Sequence, residues 1–244
     1  MFENIRKKYE EKKQEFYTKY IKPLIKPLLT IFIYILYQNN FLISIASTFG
    51  FHLTKLPMTT RIPVLFMNDF IYIATFLLLY IKDIKNGIKD LKNNTQEKIS
   101  LALGCWSTGC IIMATTSIII GLILGKSVSG NEEAVRESTK LAPIYMLFAC
   151  SIVAPLFEEM VFRKAFSDLI KPRWLFILLS GLTFGAIHVL GSYTTPLDFL
   201  YAIPYGAMGC CFAYLLTKTK NITLPILVHF VHNTILVLMQ ILRG

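Results

Sequence analysis

The amino-acid sequence predicts an all-α protein: a polytopic transmembrane helical bundle of about seven spanning helices, preceded by an N-terminal amphipathic helix. Of its 244 residues, 54% are hydrophobic and only 16% are charged, and the mean hydropathy of +0.54 is far above that of an ordinary water-soluble domain. Several stretches of about 18 to 25 residues contain almost no charge, which is long enough to cross a bilayer. Because backbone amides in hydrocarbon must be hydrogen-bonded internally, each stretch is expected to be a helix.

Residues 1–27 are predicted to form a basic amphipathic segment beside the membrane. Lysines surround apolar side chains that fall roughly on one helical stripe, namely Phe2, Ile5, Tyr9, Phe16 and Tyr20. A solvated basic tail is the alternative interpretation. Residues 28–140 are assigned to N-terminal transmembrane helices and loops, and residues 141–244 to a C-terminal transmembrane core.

The spanning helices are predicted at approximately residues 28–52, 62–81, 100–124, 141–163, 174–190, 198–216 and 222–242. The first is interrupted by Gln38, Asn39 and Asn40, so either a kink or packing of these polar residues against neighbouring helices is expected. Asp69, near the outer end of the second, is expected at the membrane interface. All five cysteines lie in apolar stretches without a C-x-x-C pair, so free thiols are expected rather than disulfides.

The distribution of Lys and Arg predicts a cytoplasmic N-terminus in a multi-pass protein of the cell membrane. In this orientation 19 of the 25 Lys and Arg residues fall on inner segments and six on outer ones. The net charge of +10 is therefore assigned to topology and to contact with anionic lipid. No nucleic-acid partner is expected.

Apart from Asp69, ionisable residues in the spanning helices concentrate at three places in the C-terminal half. Such groups are costly in a bilayer and face the bundle interior. At the first place, Glu159 and Arg163 are four residues apart and can pair on one helix face. Glu158 is rotated by about 100° from Glu159, so one carboxylate can be structural while the other acts as a base. An interfacial charged cluster that ends the helix is the alternative.

The second place is His188, and the third comprises His229, His232 and Asn233. If the fourth and fifth helices form a hairpin that turns near residue 173, Glu158 and His188 each lie about 22 Å from the turn, at a rise of about 1.5 Å per residue. His229 and Asn233 share one helix face, with His232 close to both. The alternatives are a packed histidine and an asparagine that links helices.

Together, Glu158, His188, His229 and Asn233 provide the groups needed for water-mediated amide hydrolysis. A carboxylate and an imidazole can share a water and take its proton, while the second imidazole and the carboxamide can donate to the developing oxyanion. No serine or cysteine occupies an equivalent place beside a base, so a covalent acyl-enzyme lacks a nucleophile. The sequence has no H-E-x-x-H motif, although a Glu/His/His zinc site remains chemically open.

At these residues the chain resembles the CAAX protease and bacteriocin-processing (CPBP/Abi) family, which includes the type II CAAX prenyl endopeptidases. The family pattern is E-E-x-x-x-R, F-x-x-x-H and H-x-x-x-N, each on a transmembrane helix. It is matched here, in order, by Glu158, Glu159 and Arg163, then Phe184 and His188, then His229 and Asn233. The resemblance covers roughly residues 141–242.

The resemblance implies an intramembrane endopeptidase of the glutamate type, and no cofactor is expected. Glu158 and His188 would activate water, and His229 and Asn233 would stabilise the oxyanion. The supporting residues would be Glu159, Arg163, Phe184 and His232. A zinc-dependent version of the same protease is the alternative, and the metal-free mechanism is favoured over it.

The expected substrate is a small membrane-associated peptide or membrane-protein precursor, in bacteriocin or pheromone processing or in self-immunity. The rival class is a non-enzymatic membrane protein for immunity or binding, which would be expected to have lost some motif residues. A transporter is disfavoured because no paired broken helices are evident. The sequence does not predict the oligomeric state.

Overall fold

The computed structural model describes residues 2–126 and 128–243, and the side chains of residues 6–126 and 128–243. Two apolar side chains of the predicted N-terminal segment, those of Phe2 and Ile5, lie outside the described residues. The same holds for Met1 and Gly244, which end the first and last predicted segments. The principal helices are α1 (Arg6–Gln38), α2 (Phe41–Thr48), α3 (Met58–Asp90), α4 (Thr95–Leu124), α5 (Gly130–Leu141), α6 (Pro143–Leu169), α7 (Arg173–Leu190), α8 (Pro196–Thr219) and α9 (Thr223–Arg243).

Seven helices within the described residues are long and apolar enough to cross a membrane, and they are all of the above except α2 and α5. The prediction of a polytopic all-α bundle is therefore confirmed. The protein is a membrane protein, and the apolar side chains exposed on its spanning helices are those expected to contact lipid.

The first spanning helix differs from its predicted extent of 28–52. Helix α1 continues without a break from the basic N-terminal segment and ends at Gln38, and α2 is a separate short helix. Asn40, between them, has a φ of 50°, a left-handed conformation that asparagine tolerates better than most residues. The polar residues that predicted a kink therefore end the helix instead.

Helices α7 and α8 make the most extensive contact in the bundle, because glycines at their interface allow the two backbones to approach closely. A Cβ atom on Gly185 would lie 2.9 Å from the nitrogen of Gly206, and one on Gly209 would lie 3.1 Å from the Cα of Gly181. This is the small-residue packing found between membrane helices. It fixes the height of His188 on α7 relative to α8.

Helix α6 forms much of the core and widens at two places. Val153, Phe157 and Met160 are fully buried, and the turns Ala149–Val153 and Glu159–Ala165 are π-helical. Such turns insert an extra residue into a helix and are frequent at functional sites. The second one begins directly after Glu158.

Asp69, near the outer end of the second predicted spanning helix, is buried between helices. Asp69 is only 1% exposed, and its carboxylate accepts hydrogen bonds from the hydroxyls of Tyr37 at 3.2 Å and Tyr145 at 3.1 Å. These donors offset the cost of removing the carboxylate from water. Asp69 thus joins α1, α3 and α6.

The five cysteines are all free, as their positions in apolar stretches predicted. Cys105 is buried and the others are half-buried.

Candidate active site

A cavity of about 400 Å³ inside the bundle collects the polar residues singled out in the sequence. Its lining includes Glu158 from α6, His188 from α7, and His229, His232 and Asn233 from α9. Residues from three separate helices therefore surround one space, at the positions that the motifs predicted.

A larger cleft of about 570 Å³ lies elsewhere, near the charged ends of α3, α6 and α8. Its lining residue Lys164 lies 2.7 Å from the Asp168 carboxylate and 3.9 Å from that of Asp83. None of the predicted site residues lines this cleft, so we place the candidate site in the smaller cavity.

Glu159 and Arg163 form a completely buried ion pair behind the cavity. Both side chains are 0% exposed, and the Arg163 Nε lies 3.0 Å from the Glu159 Oε2. These two atoms are not aligned as a hydrogen bond, so we treat the contact as an ion pair. The guanidinium also lies over the Phe184 ring, 4.4 Å from its centre, which supplies a cation–π contact. The helix does not end at this pair, as the alternative of a charged cluster at a helix end would require, because α6 continues to Leu169.

His229 links this pair to the cavity. Its Nδ1 lies 2.9 Å from Glu159 Oε1, and its Nε2 lies 3.8 Å from Glu158 Oε2. Because Glu159 contacts a guanidinium that stays charged, it acts as an acceptor, and His229 Nδ1 is the donor. One imidazole thereby stands between the two adjacent glutamates.

Glu158 is free of Arg163 and lines the cavity. Its side chain is 13% exposed. Its Oε2 is buried beside His229 and has no hydrogen-bond partner among the described residues. Its other oxygen, Oε1, is not among the buried atoms that lack a partner. Two neighbouring carboxylates therefore have the different surroundings that the sequence predicted.

His188 is held in one orientation by its own helix. Its Nδ1 lies 2.8 Å from the carbonyl oxygen of Phe184, and since a carbonyl can only accept, Nδ1 donates. In the neutral ring, Nε2 then carries a lone pair that can accept a proton. No direct hydrogen bond between His188 and Glu158 is present in the described part of the chain, although both residues line the same cavity.

The His188 ring is fixed by Tyr205, which the sequence analysis missed. The two rings stack with centroids 4.6 Å apart and an interplanar angle of 21°. The Tyr205 hydroxyl in turn contacts Ser129 at 2.8 Å and Asn131 at 3.3 Å, beside α5. A tyrosine in an apolar helix gives no sequence signal for such a contact, because stacking depends on which helices become neighbours.

Two further partners of the α9 residues were also missed. Asn233 Nδ2 donates to the carbonyl of Cys150 at 2.8 Å, and Trp106 Nε1 donates to His232 Nδ1 at 3.2 Å. Trp106 was detectable in principle, because an indole N–H in a spanning helix needs a partner. A backbone carbonyl such as that of Cys150 has no sequence signal.

The residues of the cavity do not fit a bound zinc ion in this arrangement. Catalytic zinc needs three protein ligands in close convergence, and within the described ranges no three His, Cys, Asp or Glu residues are grouped closely enough to hold a metal.

Comparisons with known proteins agree with the class that the fold and these motifs define, a membrane-embedded peptidase. Residues 140–235 match the family described as "Type II CAAX prenyl endopeptidase Rce1-like". This range contains every motif residue of the predicted core and confirms the resemblance to the CAAX protease and bacteriocin-processing family.

Two curated relatives extend the likeness beyond this range. The chain is 29% identical over 224 residues to the membrane-embedded CAAX protease MroQ of Staphylococcus aureus (strain USA300), which covers 88% of this chain and 89% of that protein. It is also 29% identical over 182 residues to YdiL of Bacillus subtilis (strain 168), named as a candidate membrane peptidase, with 71% of this chain and 70% of that protein covered. No solved structure matches.

Proposed function

We propose that this chain is an intramembrane glutamic endopeptidase in which Glu158 and His188 activate water to cleave a peptide bond. The observation that carries the proposal is the convergence of Glu158, His188, His229 and Asn233 on one cavity. The adjacent Glu159 is instead buried against Arg163. The membership of the matched region in a family of peptidases supports the same reaction class.

These positions support the following proposed reaction. The water oxygen forms a bond to the carbonyl carbon, its proton passes to the Glu158 carboxylate with His188 accepting from the same water, and the carbonyl electron pair moves to oxygen. The oxyanion then re-forms the carbonyl as the C–N bond breaks, and the leaving amine receives the proton that Glu158 holds. The other water proton remains on the new carboxyl group and passes to the amine, so the products are a carboxylate and an ammonium, and the enzyme returns to its starting state.

We further propose that the substrate is a small membrane-associated peptide or membrane-protein precursor, such as one matured into a bacteriocin or a pheromone. Much of the cavity wall is apolar and includes Met113, Leu236 and Val237. The lining continues along α9 from His229 to Gln240, about 16 Å at 1.5 Å per residue. An extended segment of about five residues fits this length.

The proposed orientation places the N-terminus in the cytoplasm, as the excess of Lys and Arg on the inner segments favours. Reporter fusions after residue 92 and after residue 220 are expected to give cytoplasmic signals, and a fusion after residue 140 an external one. An external signal at residue 92 or 220 would reverse the orientation.

The enzyme assignment is tested in a strain that lacks the wild-type copy, complemented with wild type, Glu158→Ala or His188→Ala. Mass spectrometry of secreted and membrane-bound peptides should show a product that depends on wild type and is missing with either variant. Glu137→Ala, on the outer helix α5, is a control that should process normally. Full processing by both site variants would refute the proposal, and an immunity phenotype retained by both would favour a binding protein.

A further inference from the structure

A second carboxylate, that of Glu132, borders the candidate cavity. Glu132 lies in the first turn of α5, where the side chain of Ser129 caps the helix by accepting from the Glu132 backbone N–H at 3.1 Å. It lines the same cavity as Glu158. It lies outside the family-matched range of 140–235, and the proposed peptidase reaction does not use it.

Helix α9 fixes the position of Glu132 along the cavity. Gln240 Nε2 donates to Glu132 Oε1 at 2.9 Å, and both residues line the cavity. Gln240 lies beyond Asn233 on α9, by about 10 Å at 1.5 Å per residue. An extended peptide covers this length with about three residues. A peptide whose scissile bond lies beside Asn233 can therefore bring a group about three residues away next to Glu132.

One oxygen of the Glu132 carboxylate is held by the protein and the other is available. Oε1 accepts from Gln240 and also from Arg136 Nε at 2.9 Å. The described residues contribute no donor to Oε2, and this atom is not among the buried atoms that lack a partner. The two donors therefore hold the carboxylate in place and leave one accessible oxygen as an acceptor for a ligand.

The charge of the cavity wall favours a cation at this oxygen. The described lining contains two carboxylates, those of Glu132 and Glu158, and no lysine or arginine. Arg136 does not line this cavity, and its side chain is 46% exposed. Water therefore screens the charge of Arg136 more strongly than that of a group inside the cavity. A positively charged group in the cavity is attracted by the wall, and a negatively charged one is repelled.

We propose that Glu132 is a specificity residue that binds a cationic group of the substrate, a Lys or Arg side chain or a free amino terminus, about three residues from the scissile bond. This inference rests on the proposed peptidase function and adds a feature of the substrate to it. An ammonium or guanidinium group would donate to the Glu132 Oε2 in a charge-assisted hydrogen bond. The alternative is a purely structural Glu132, which only joins α5 to Gln240 of α9.

The preference is measured with a mixture of synthetic apolar peptides that carry Lys, Gln or Glu at varied positions, incubated with the protein in lipid nanodiscs. Mass spectrometry identifies the bonds that are cut by wild type and not by Glu158→Gln. At one position about three residues from the cut bond, Lys should be favoured over Gln by about tenfold in kcat/KM, and Glu should be disfavoured. Free and acetylated amino termini distinguish the two sources of the cation. Equal kcat/KM for all these peptides, or a preference for Glu, would overturn the inference.

Glu132→Gln separates recognition of charge from a structural link. Glutamine keeps an oxygen that can accept from Arg136 and Gln240 but carries no charge, so the preference for the cationic peptide should disappear. The matched control is Glu133→Gln, which removes the same charge from the next residue of α5, exposed and outside the cavity lining, and should keep the wild-type preference. The preference is a ratio of two rates for one protein, so it does not depend on the folded fraction. An unchanged ratio in Glu132→Gln would refute the specificity role and leave the structural one.

Binding without cleavage distinguishes this inference from the proposed peptidase function. In the Glu158→Gln protein, the favoured cationic peptide should bind about tenfold more tightly than its uncharged counterpart, and the further change Glu132→Gln should remove the difference. Equal affinities for the two peptides in the Glu158→Gln protein would refute the binding role of Glu132. Equal cleavage by wild type and Glu158→Gln would instead refute the peptidase function itself.

Discussion

Glu158 and Glu159 are neighbours in the chain, but their carboxylates lie in different surroundings. Glu159 is fully buried between Arg163 and His229, and Glu158 lies on the cavity wall. A buried ion pair is strongly destabilised when one partner is removed, because the other charge is left without compensation. Substitution of Glu158 should therefore affect cleavage, whereas substitution of Glu159 should affect stability.

Glu158→Gln should abolish cleavage and leave the unfolding temperature close to that of wild type. Glu159→Gln should lower the free energy of unfolding by about 3 kcal/mol or more, because Arg163 keeps its charge in a buried site. Thermal unfolding in nanodiscs and a cleavage assay on the same preparations measure both effects. A stable, fully active Glu159→Gln protein would contradict the structural role of that residue.

At the scale of the helices, the site depends on two kinds of contact. The glycine interface sets α7 against α8, and with it His188 beside Tyr205. The hydrogen bonds of Asp69 join α1, α3 and α6. Neither contact includes a residue that is proposed to touch the substrate.

Gly185→Leu should disturb the α7–α8 interface, because even a Cβ at this position would lie 2.9 Å from the nitrogen of Gly206. We expect a loss of about 1–3 kcal/mol from overpacking together with a marked loss of cleavage. Gly104→Leu is the control, since nothing lies within 4 Å of a Cβ there. If the two variants have the same unfolding temperature and activity, the interface does not fix the site.

Asp69→Leu should also destabilise the protein without removing a site residue. It leaves the hydroxyls of Tyr37 and Tyr145 without their acceptor, at a cost of about 1–3 kcal/mol for each buried group left unpaired. The ring of Tyr37 packs against Phe157, with centroids 4.8 Å apart, and Phe157 precedes Glu158 in the chain. A decrease in kcat is therefore also expected, smaller than the one caused by substitution of Glu158 itself. The triple variant, in which Asp69→Leu is combined with Tyr37→Phe and Tyr145→Phe, should regain stability. Further destabilisation of the triple variant would rule out this explanation.

At the scale of the whole molecule, the sequence predicted the helical bundle and most of the site because both rest on strong local signals. Long apolar runs define the helices, and rare buried charges such as Glu159 and Arg163 identify the interior. The extent of α1 was mispredicted because Asn40 ends a helix rather than bending it. Tyr205 and Trp106 were missed because their roles depend on contacts between helices that are distant in the chain.

Cleavage should persist in the presence of EDTA or phenanthroline, because the described donors do not converge into a three-ligand site. Activity after chelation and the zinc content of the purified protein measure this. An inactive chelated enzyme that recovers with one equivalent of zinc would show that the protein is a metalloprotease.

The chain has two tryptophans, and their positions provide an intrinsic optical probe. Trp174 is 68% exposed, whereas Trp106 is hydrogen-bonded to an imidazole in the cavity wall. In a Trp174→Phe background, the remaining indole emission would come from Trp106 alone. Its intensity and wavelength should change when a peptide fills the cavity, so that affinity can be titrated with catalytically dead protein and an unlabelled ligand.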